Sequence, residues 1–348
     1  MPATVAFAVP IVQAPMAGVS TPAMAAAVSN AGGLGAIGLG ATDVAGARAM
    51  IDAVRAATDK AFNVNLFVHR DPVPDAARET AWLAALAPQF AALKATPPKA
   101  LTTIYRGFAG DDAMLALLVE TAPPVVSFHF GLPEASRIRA LKQAGCELWA
   151  TATCRAEAQA AKAAGIDVLV AQGWEAGGHR GCFDPDARDD RLGTVALTRL
   201  LVARASLPVV AAGGIMDGRG IRAALDLGAV AAQLGTAFVL CPESLADAGY
   251  RAAMVGAAAE HTTMTRAISG RPARCLANRF TAWGEGDLPA VPSYPIAYDA
   301  GKALHAAARA RGEFGYGAQW AGQGAPLARS MPAADLIALL WQEAQAAA

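Results

Sequence analysis

Charge is scarce in this sequence, and no charged residue precedes Asp43. Lys plus Arg number 29 and Asp plus Glu number 29, so the formal net charge is zero. That balance argues against nucleic acid or an anionic membrane as a partner, since both call for clustered positive charge. Cysteine is sparse too. Cys146, Cys154, Cys182, Cys241 and Cys275 form no C-x-x-C pair. An odd, scattered set implies no disulfide framework and points to reduced thiols in a cytoplasm. No His/Cys/carboxylate cluster has metal-ligand spacing, so no metal is expected. The charge-free amino terminus lacks the basic region of a signal peptide. Pro10, Gln13, Pro15, Gly18, Asn30 and Gly32 interrupt it, so it reads as strand, helix and second strand rather than a membrane span. Low-complexity linkers are missing, as are repeats beyond a strand–helix unit.

Apolar residues, by contrast, make up 54% of the 348 positions, and the mean hydropathy is +0.32. The chain can bury one large barrel plus an insert. Short β-branched or apolar runs bounded by glycine or proline predict strands at Val9–Ala14, Leu34–Gly38, Phe62–Val68, Pro124–Phe128, Glu147–Thr151, Asp167–Ala171, Leu207–Ala211 and Val230–Leu234. A ninth extended run, Ala100–Tyr105, is bracketed by helices within one long connection. Helices are expected between the strands, the first capped by Ser20 or Thr21 with Pro22 in its first turn, the second capped by Thr42. Strands alternating with helices imply a parallel sheet. Distinctive polar residues follow nearly every strand, which fits the mouth of a (β/α)8 barrel better than the one or two switch points of a doubly wound sheet. After Leu240 the rhythm changes. Residues 241–317 read as a smaller, mainly helical domain inserted after the eighth strand and lying over the barrel mouth. They carry a basic patch (Arg266, Arg271, Arg274, Arg279). The amphipathic stretch Met331–Ala344 returns to close the barrel, so residues 1–240 and 318–348 form one unit.

Four constellations could carry chemistry. Ala212-Gly213-Gly214 and Gly235-Thr236 follow the last two strands, where barrel loops bind phosphate through backbone N–H groups. Asn65, Gln172 and Gln233 stand at strand ends and could read the edge of a flat heterocycle against a wall of Ala14, Pro15 and Met16. The loop Gln172–Gly181, QGWEAGGHRG, has four glycines; Gly177 and Gly178 allow close backbone approach, and His179 supplies an imidazole. His129 follows another strand, so a barrel brings both imidazoles to one rim as acid–base or anion-binding groups. His69, flanked by Arg70 and Asp71, reads as part of a solvated loop. Finally, Tyr294, Tyr298 and Lys302 are spaced i, i+4, i+8, and with Pro295 at the first helical position they fall on one helix stripe. Two phenols and an ammonium suit a small carboxylate, and Tyr105 is a companion.

These segments resemble the nitronate monooxygenases, formerly 2-nitropropane dioxygenases, of the bacterial class I group. The resemblance runs through QAPMAGVSTP, FNVNLF, SFHFG, QGWEAGGHRG, AAGGI with QLGTAF, SGRPAR and the Tyr/Tyr/Lys stripe. It implies an FMN-binding TIM barrel with a substrate-capping domain. It also implies oxidation of alkyl nitronates with O2, propionate 3-nitronate above all, to an aldehyde plus nitrite or nitrate. The implied route is one-electron transfer and a flavin semiquinone, in nitronate detoxification. His179 and His129 match catalytic positions, and Tyr105, Tyr294, Tyr298 and Lys302 match the substrate pocket. A monomer or weak homodimer is expected. The alternative within the same barrel superfamily is an FMN-dependent reductase passing electrons from NAD(P)H to a quinone or an enoyl thioester. A flavin-binding protein without turnover and a flavin-free phosphate-binding barrel stand further off.

Overall fold

A computed structural model describes residue 5 and residues 7–347. Eight parallel strands form one sheet: β1 (Ile11–Gln13), β2 (Gly35–Gly38), β3 (Phe62–Phe67), β4 (Val125–His129), β5 (Glu147–Ala152), β6 (Val168–Gln172), β8 (Val209–Ala212) and β9 (Ala231–Leu234). Each pairs with its sequence neighbour, and β9 pairs with β1. A parallel bridge between Val12 and Leu34 joins the first strand to the second, so the sheet closes on itself. Strands buried on both faces read as continuous apolar runs, which is why the sequence shows them so clearly. Val12, Leu34, Val125, Trp149, Val170 and Val210 fill the barrel interior. A larger cluster, with Ile51, Val64, Leu118, Phe128 and Leu201, fills the layer between strands and helices.

The expected ninth strand is not one: Ala100–Tyr105 has no regular pairing. A closed barrel has no free edge for it to join. The helix Pro22–Asn30 is capped by Thr21, whose Oγ1 accepts from the Met24 N–H at 3.0 Å. Helix Val44–Ala57 is capped by Asp43 rather than Thr42; the shorter carboxylate reach to Gly46 N–H, 2.8 Å, wins. Gln13, fully buried, accepts from Ala36 N–H at 2.8 Å and donates to Ser20 Oγ at 2.8 Å, which ties β1, β2 and the first loop together.

Residues 241–317 contain helices Ala248–Val255, Arg279–Trp283 and Ile296–Arg309 and two strands, β10 (Thr262–Thr265) and β11 (Ala273–Leu276). With β7 (Gly178–His179) these form a second, antiparallel sheet of three strands. Helix Ile296–Arg309 packs on helix Ala76–Ala92 through Trp82, Leu86, Phe90, Ile296, Ala300 and Leu304. The last helix, Ala333–Ala346, packs on helices Gly218–Asp226 and Pro22–Asn30. Glu343 Oε2 accepts from Gly218 N–H at 3.0 Å, pinning it there. No helix among the described residues is long and apolar enough to cross a membrane. All five cysteines are unpaired thiols.

Candidate active site

A cavity opens at the C-terminal ends of the barrel strands. Its lining includes Ala14, Pro15 and Met16 after β1, Asn65 on β3, His129 on β4, Gln172 and the Gly177–His179 turn after β6, and Ala212–Gly214 after β8. Gln233, Gly235 and Thr236 from β9 and its loop face it too, as do Tyr105, Tyr294 and Tyr298. Of the residues singled out in the sequence, Lys302 alone does not line it. Lys302 is exposed at the rim, with its ammonium 5.2 Å from the Tyr105 ring centroid and 5.4 Å from that of Tyr298.

One end of the cavity is built of glycine. A Cβ on Gly177 would lie 2.4 Å from Gly322 N, one on Gly213 2.8 Å from Thr194 Oγ1, and one on Gly324 2.5 Å from Met216 Cγ. Gly213 and Gly214 have φ of +121° and +70°, a region that favours glycine. The N–H groups of Gly214, Gly235 and Thr236 donate to no protein acceptor among the described residues. The three amide side chains differ. Asn65 spends its Nδ2 on Ser127, at 2.9 Å from Oγ, and keeps its carbonyl oxygen free. Gln233 lines the cavity, and its amide has no protein partner among the described residues. Gln172, however, donates to His179 O at 3.0 Å and accepts from Gly181 N–H at 2.7 Å, so it holds its own loop.

His129 and His179 meet at the other end. The His179 carbonyl can only accept, so its 3.2 Å contact with His129 Nε2 makes that nitrogen the protonated one. His129 Nδ1 then accepts from the Thr151 hydroxyl at 2.9 Å, and both ring nitrogens are engaged. His179 Nε2 lies 2.8 Å from Ser269 Oγ, and its Nδ1 has no protein partner among the described residues. Strand β11 fixes the loop: Ala273 is registered with His179, and Arg180 N–H donates to Pro272 O at 2.8 Å. Burial lowers the His129 pKa to about 4, offset in part by its bond to the His179 carbonyl and reinforced by Arg271 and Arg180. Burial also pushes His179 well below its ordinary value, with His129, Arg271 and His69 adding repulsion. Both imidazoles are neutral at physiological pH.

Aromatic rings wall this end. Around His179 stand Trp320 at 5.0 Å, Tyr294 at 5.4 Å, Phe130 at 5.6 Å and Tyr298 at 6.0 Å between centroids. Burial raises Tyr105 to about 12 and holds Tyr294 and Tyr298 well above the phenol range. Phe130 has φ of +75°, which costs a bulky residue on the order of 1–3 kcal/mol and persists only where packing over-determines it.

Around the site the structure departs further from the sequence reading. His69 is not solvated: it is 3% exposed, neither ring nitrogen makes a hydrogen bond of ordinary geometry among the described residues, and its ring sits edge-on to Tyr294 at 5.0 Å. Burial lowers it to about 4. The helix starts at Ile296 with Pro295 as its N-cap, so Tyr294 precedes the helix and approaches the site from the connecting loop. The supposed basic patch is dispersed. Arg266 pairs with Asp186 and Arg279 with Glu313, whereas Arg271 and Arg274 are buried. Sequence reasoning missed Tyr250, Trp320, Gly322 and Gly324, which line the cavity. The Gly-x-Gly of WAGQG was the available signal for the last three.

Fold and site together define a (β/α)8-barrel enzyme whose polar groups converge at the C-terminal mouth. The family model for nitronate monooxygenase matches residues 2–343, and the chain belongs to that oxidoreductase family. It is 63% identical to the nitronate monooxygenase of Paraburkholderia phytofirmans over 96% of this chain and 92% of the relative. It is 57% identical to that of Pseudomonas aeruginosa over 96% of this chain and 95% of the relative. Among solved structures, the nitroalkane oxidase from Streptomyces ansochromogenes superposes with a TM-score of 0.90 at 40% identity, covering 98% of this chain and 97% of that one. FabK from Thermotoga maritima gives 0.72 at 30% identity, covering 98% and 94%.

Proposed function

We propose that this protein uses FMN, held without a covalent bond, to oxidise alkyl nitronates with O2, propionate 3-nitronate foremost, releasing an aldehyde with nitrite or nitrate. The observation that carries the reading is one cavity with a glycine cradle at one end and a neutral imidazole within an aromatic wall at the other. The cradle suits a single phosphate: Gly213 and Gly214 take left-handed φ and Gly213 has no space for a Cβ against Thr194, so bare backbone faces the cavity, and the unspent N–H groups of Gly214, Gly235 and Thr236 supply donors. The free carbonyl of Asn65 and the amide of Gln233 suit the polar edge of a flavin, with Ala14, Pro15 and Met16 beneath it. No dinucleotide fingerprint follows β1, which favours FMN over FAD. When bound, FMN supplies a reversible electron acceptor that reacts with O2.

The chain's own groups divide the remaining work. We assign the acid–base role to His179 alone, because its Nδ1 is free whereas both nitrogens of His129 are committed. A nitronate is already ionised and needs no base; a neutral nitroalkane would lose its α-proton to His179 Nδ1. His129 positions the loop that carries His179. The aromatic wall excludes water, and Lys302 at the rim attracts a substrate carboxylate. Residues 241–317 serve as the capping domain on the barrel of 1–240 and 318–348.

The test is spectroscopic. Flavin released by heat should co-migrate with FMN, and anaerobic propionate 3-nitronate should bleach the bound flavin while NADH leaves it oxidised. Release of FAD or of no flavin, or bleaching by NADH without a response to nitronate, would overturn the assignment.

A further inference from the structure

One charge beside this site is unbalanced. Arg180, Arg266 and Arg279 each hold a carboxylate, and Arg274, buried without one, spends its guanidinium on Trp174 O at 2.9 Å and Thr262 Oγ1 at 3.2 Å. Arg271, 4% exposed, holds none among the described residues. Its Nη2 donates to the Cys182 carbonyl, its Nε has no acceptor, and its guanidinium carbon lies 4.3 Å from the centre of the Phe130 ring. Phe130 in turn touches the rings of His129 at 4.5 Å, Tyr294 at 5.4 Å and His179 at 5.6 Å. A guanidinium does not shed its proton in proteins, and an uncompensated buried charge is strongly unfavourable. The groups facing it offer no anion. Burial keeps the Cys182 thiol and the Tyr294 phenol protonated, Arg266 is itself a cation, and His69, His129 and His179 are neutral. Arg271 and Phe130 stand behind the cavity lining, so an anion bound in the cavity would balance the guanidinium across the Phe130 ring and the imidazoles.

We propose that Arg271 is a further specificity-determining residue: a fixed positive charge behind Phe130 and the imidazoles that is balanced by the charge of the nitronate group itself, so the site prefers nitronate anions to their neutral nitroalkane parents. This rests on the nitronate reading above. It is distinct from the rim ammonium of Lys302, which addresses a substrate's tail. It also explains why Phe130 is held in a left-handed conformation: its ring is clamped between the guanidinium and the imidazoles.

The experiment compares Arg271→Met, which keeps the stem, with Arg271→Lys, which keeps the charge, both checked for flavin content. Propanoate, a planar anion of nitronate shape, and neutral propanamide serve as competitive inhibitors and calorimetric ligands. Ethyl nitronate and nitroethane serve as substrates. Arg271→Met should weaken propanoate and raise KM for ethyl nitronate about ten- to thirty-fold, with propanamide and nitroethane changed by less than about two-fold. Arg271→Lys should recover most of the preference. The acid limb of activity should move toward neutral pH in the Met variant, because the repulsion that Arg271 exerts on the imidazoles is gone. Equal losses for charged and neutral probes, or no loss, would show a structural arginine and overturn the proposal. So would wild-type protein that binds propanoate no better than propanamide, a comparison that needs no variant to fold. A wild type that binds propanoate selectively yet leaves nitronates untouched would sink the functional reading and, with it, the nitronate as the balancing anion; loss of that selectivity in Arg271→Met alone would tell the two failures apart.

Discussion

Acidification should destabilise this protein through its buried imidazoles. His69 and His129 fall from 6.5 in the unfolded chain to about 4 in the folded one, and His179 shifts the same way. The folded pKa lies below the unfolded value, so between pH 6.5 and about 4 the unfolded chain binds more protons. Stability is therefore intact above 6.5 and drains away as pH falls toward 4. Lowering the pH from about 7 to about 5 costs roughly 1.8 kcal/mol for each group with such a shift, so about 4 kcal/mol for His69 and His129 together. His179 adds to that loss. Ordinary carboxylates titrate lower still and contribute little in this window. Urea denaturation of the flavin-loaded protein at the two pH values reads the difference directly. The control is His69→Phe. Neither ring nitrogen of His69 makes a hydrogen bond of ordinary geometry, and the Tyr105 backbone gives at most a weak contact, so the substitution should be nearly neutral at pH 7. It should remove about 1.8 kcal/mol of the acid loss. Stability at pH 5 within about 1 kcal/mol of that at pH 7, or an unchanged pH dependence in His69→Phe, would refute the reasoning.

Two further outcomes follow from the geometry. Lys302 is exposed, so its ammonium acts in high dielectric: Lys302→Met should raise KM for propionate 3-nitronate only about two- to five-fold, with the effect fading at about 0.5 M salt and absent for ethyl nitronate. Steady-state kinetics at two ionic strengths would show it, and a salt-independent loss would contradict it. A Cβ on Gly35 would lie 1.9 Å from the Ala25 carbonyl oxygen, so Gly35→Ala must push helix Pro22–Asn30 off the barrel. A loss of about 3 kcal/mol or more in denaturant unfolding is expected, and a change below about 1 kcal/mol would contradict the close packing.

The barrel was legible because parallel strands buried on both faces leave contiguous apolar runs. Residues at or just past a strand's C-terminal end were legible as cavity-facing for the same reason: in a (β/α)8 barrel every strand delivers that end to one mouth, as Asn65, His129 and Gly213 show. What the residues do there was decided by partners remote in the chain. His179 meets Ser269, 90 positions away, and Gln172 turns its amide onto its own loop. His69 looked solvated because its neighbours Arg70 and Asp71 are charged, yet Phe130 and Tyr294 bury it. Arg271 stood in the sequence as one of four arginines; its isolation from any carboxylate exists only in the folded chain. Local pattern reports the period of burial, which is a property of the strand or helix itself. Protonation state, tautomer and unpaired charge depend on which segments pack together, and only the closed barrel with β11 laid against the His179 loop decides that.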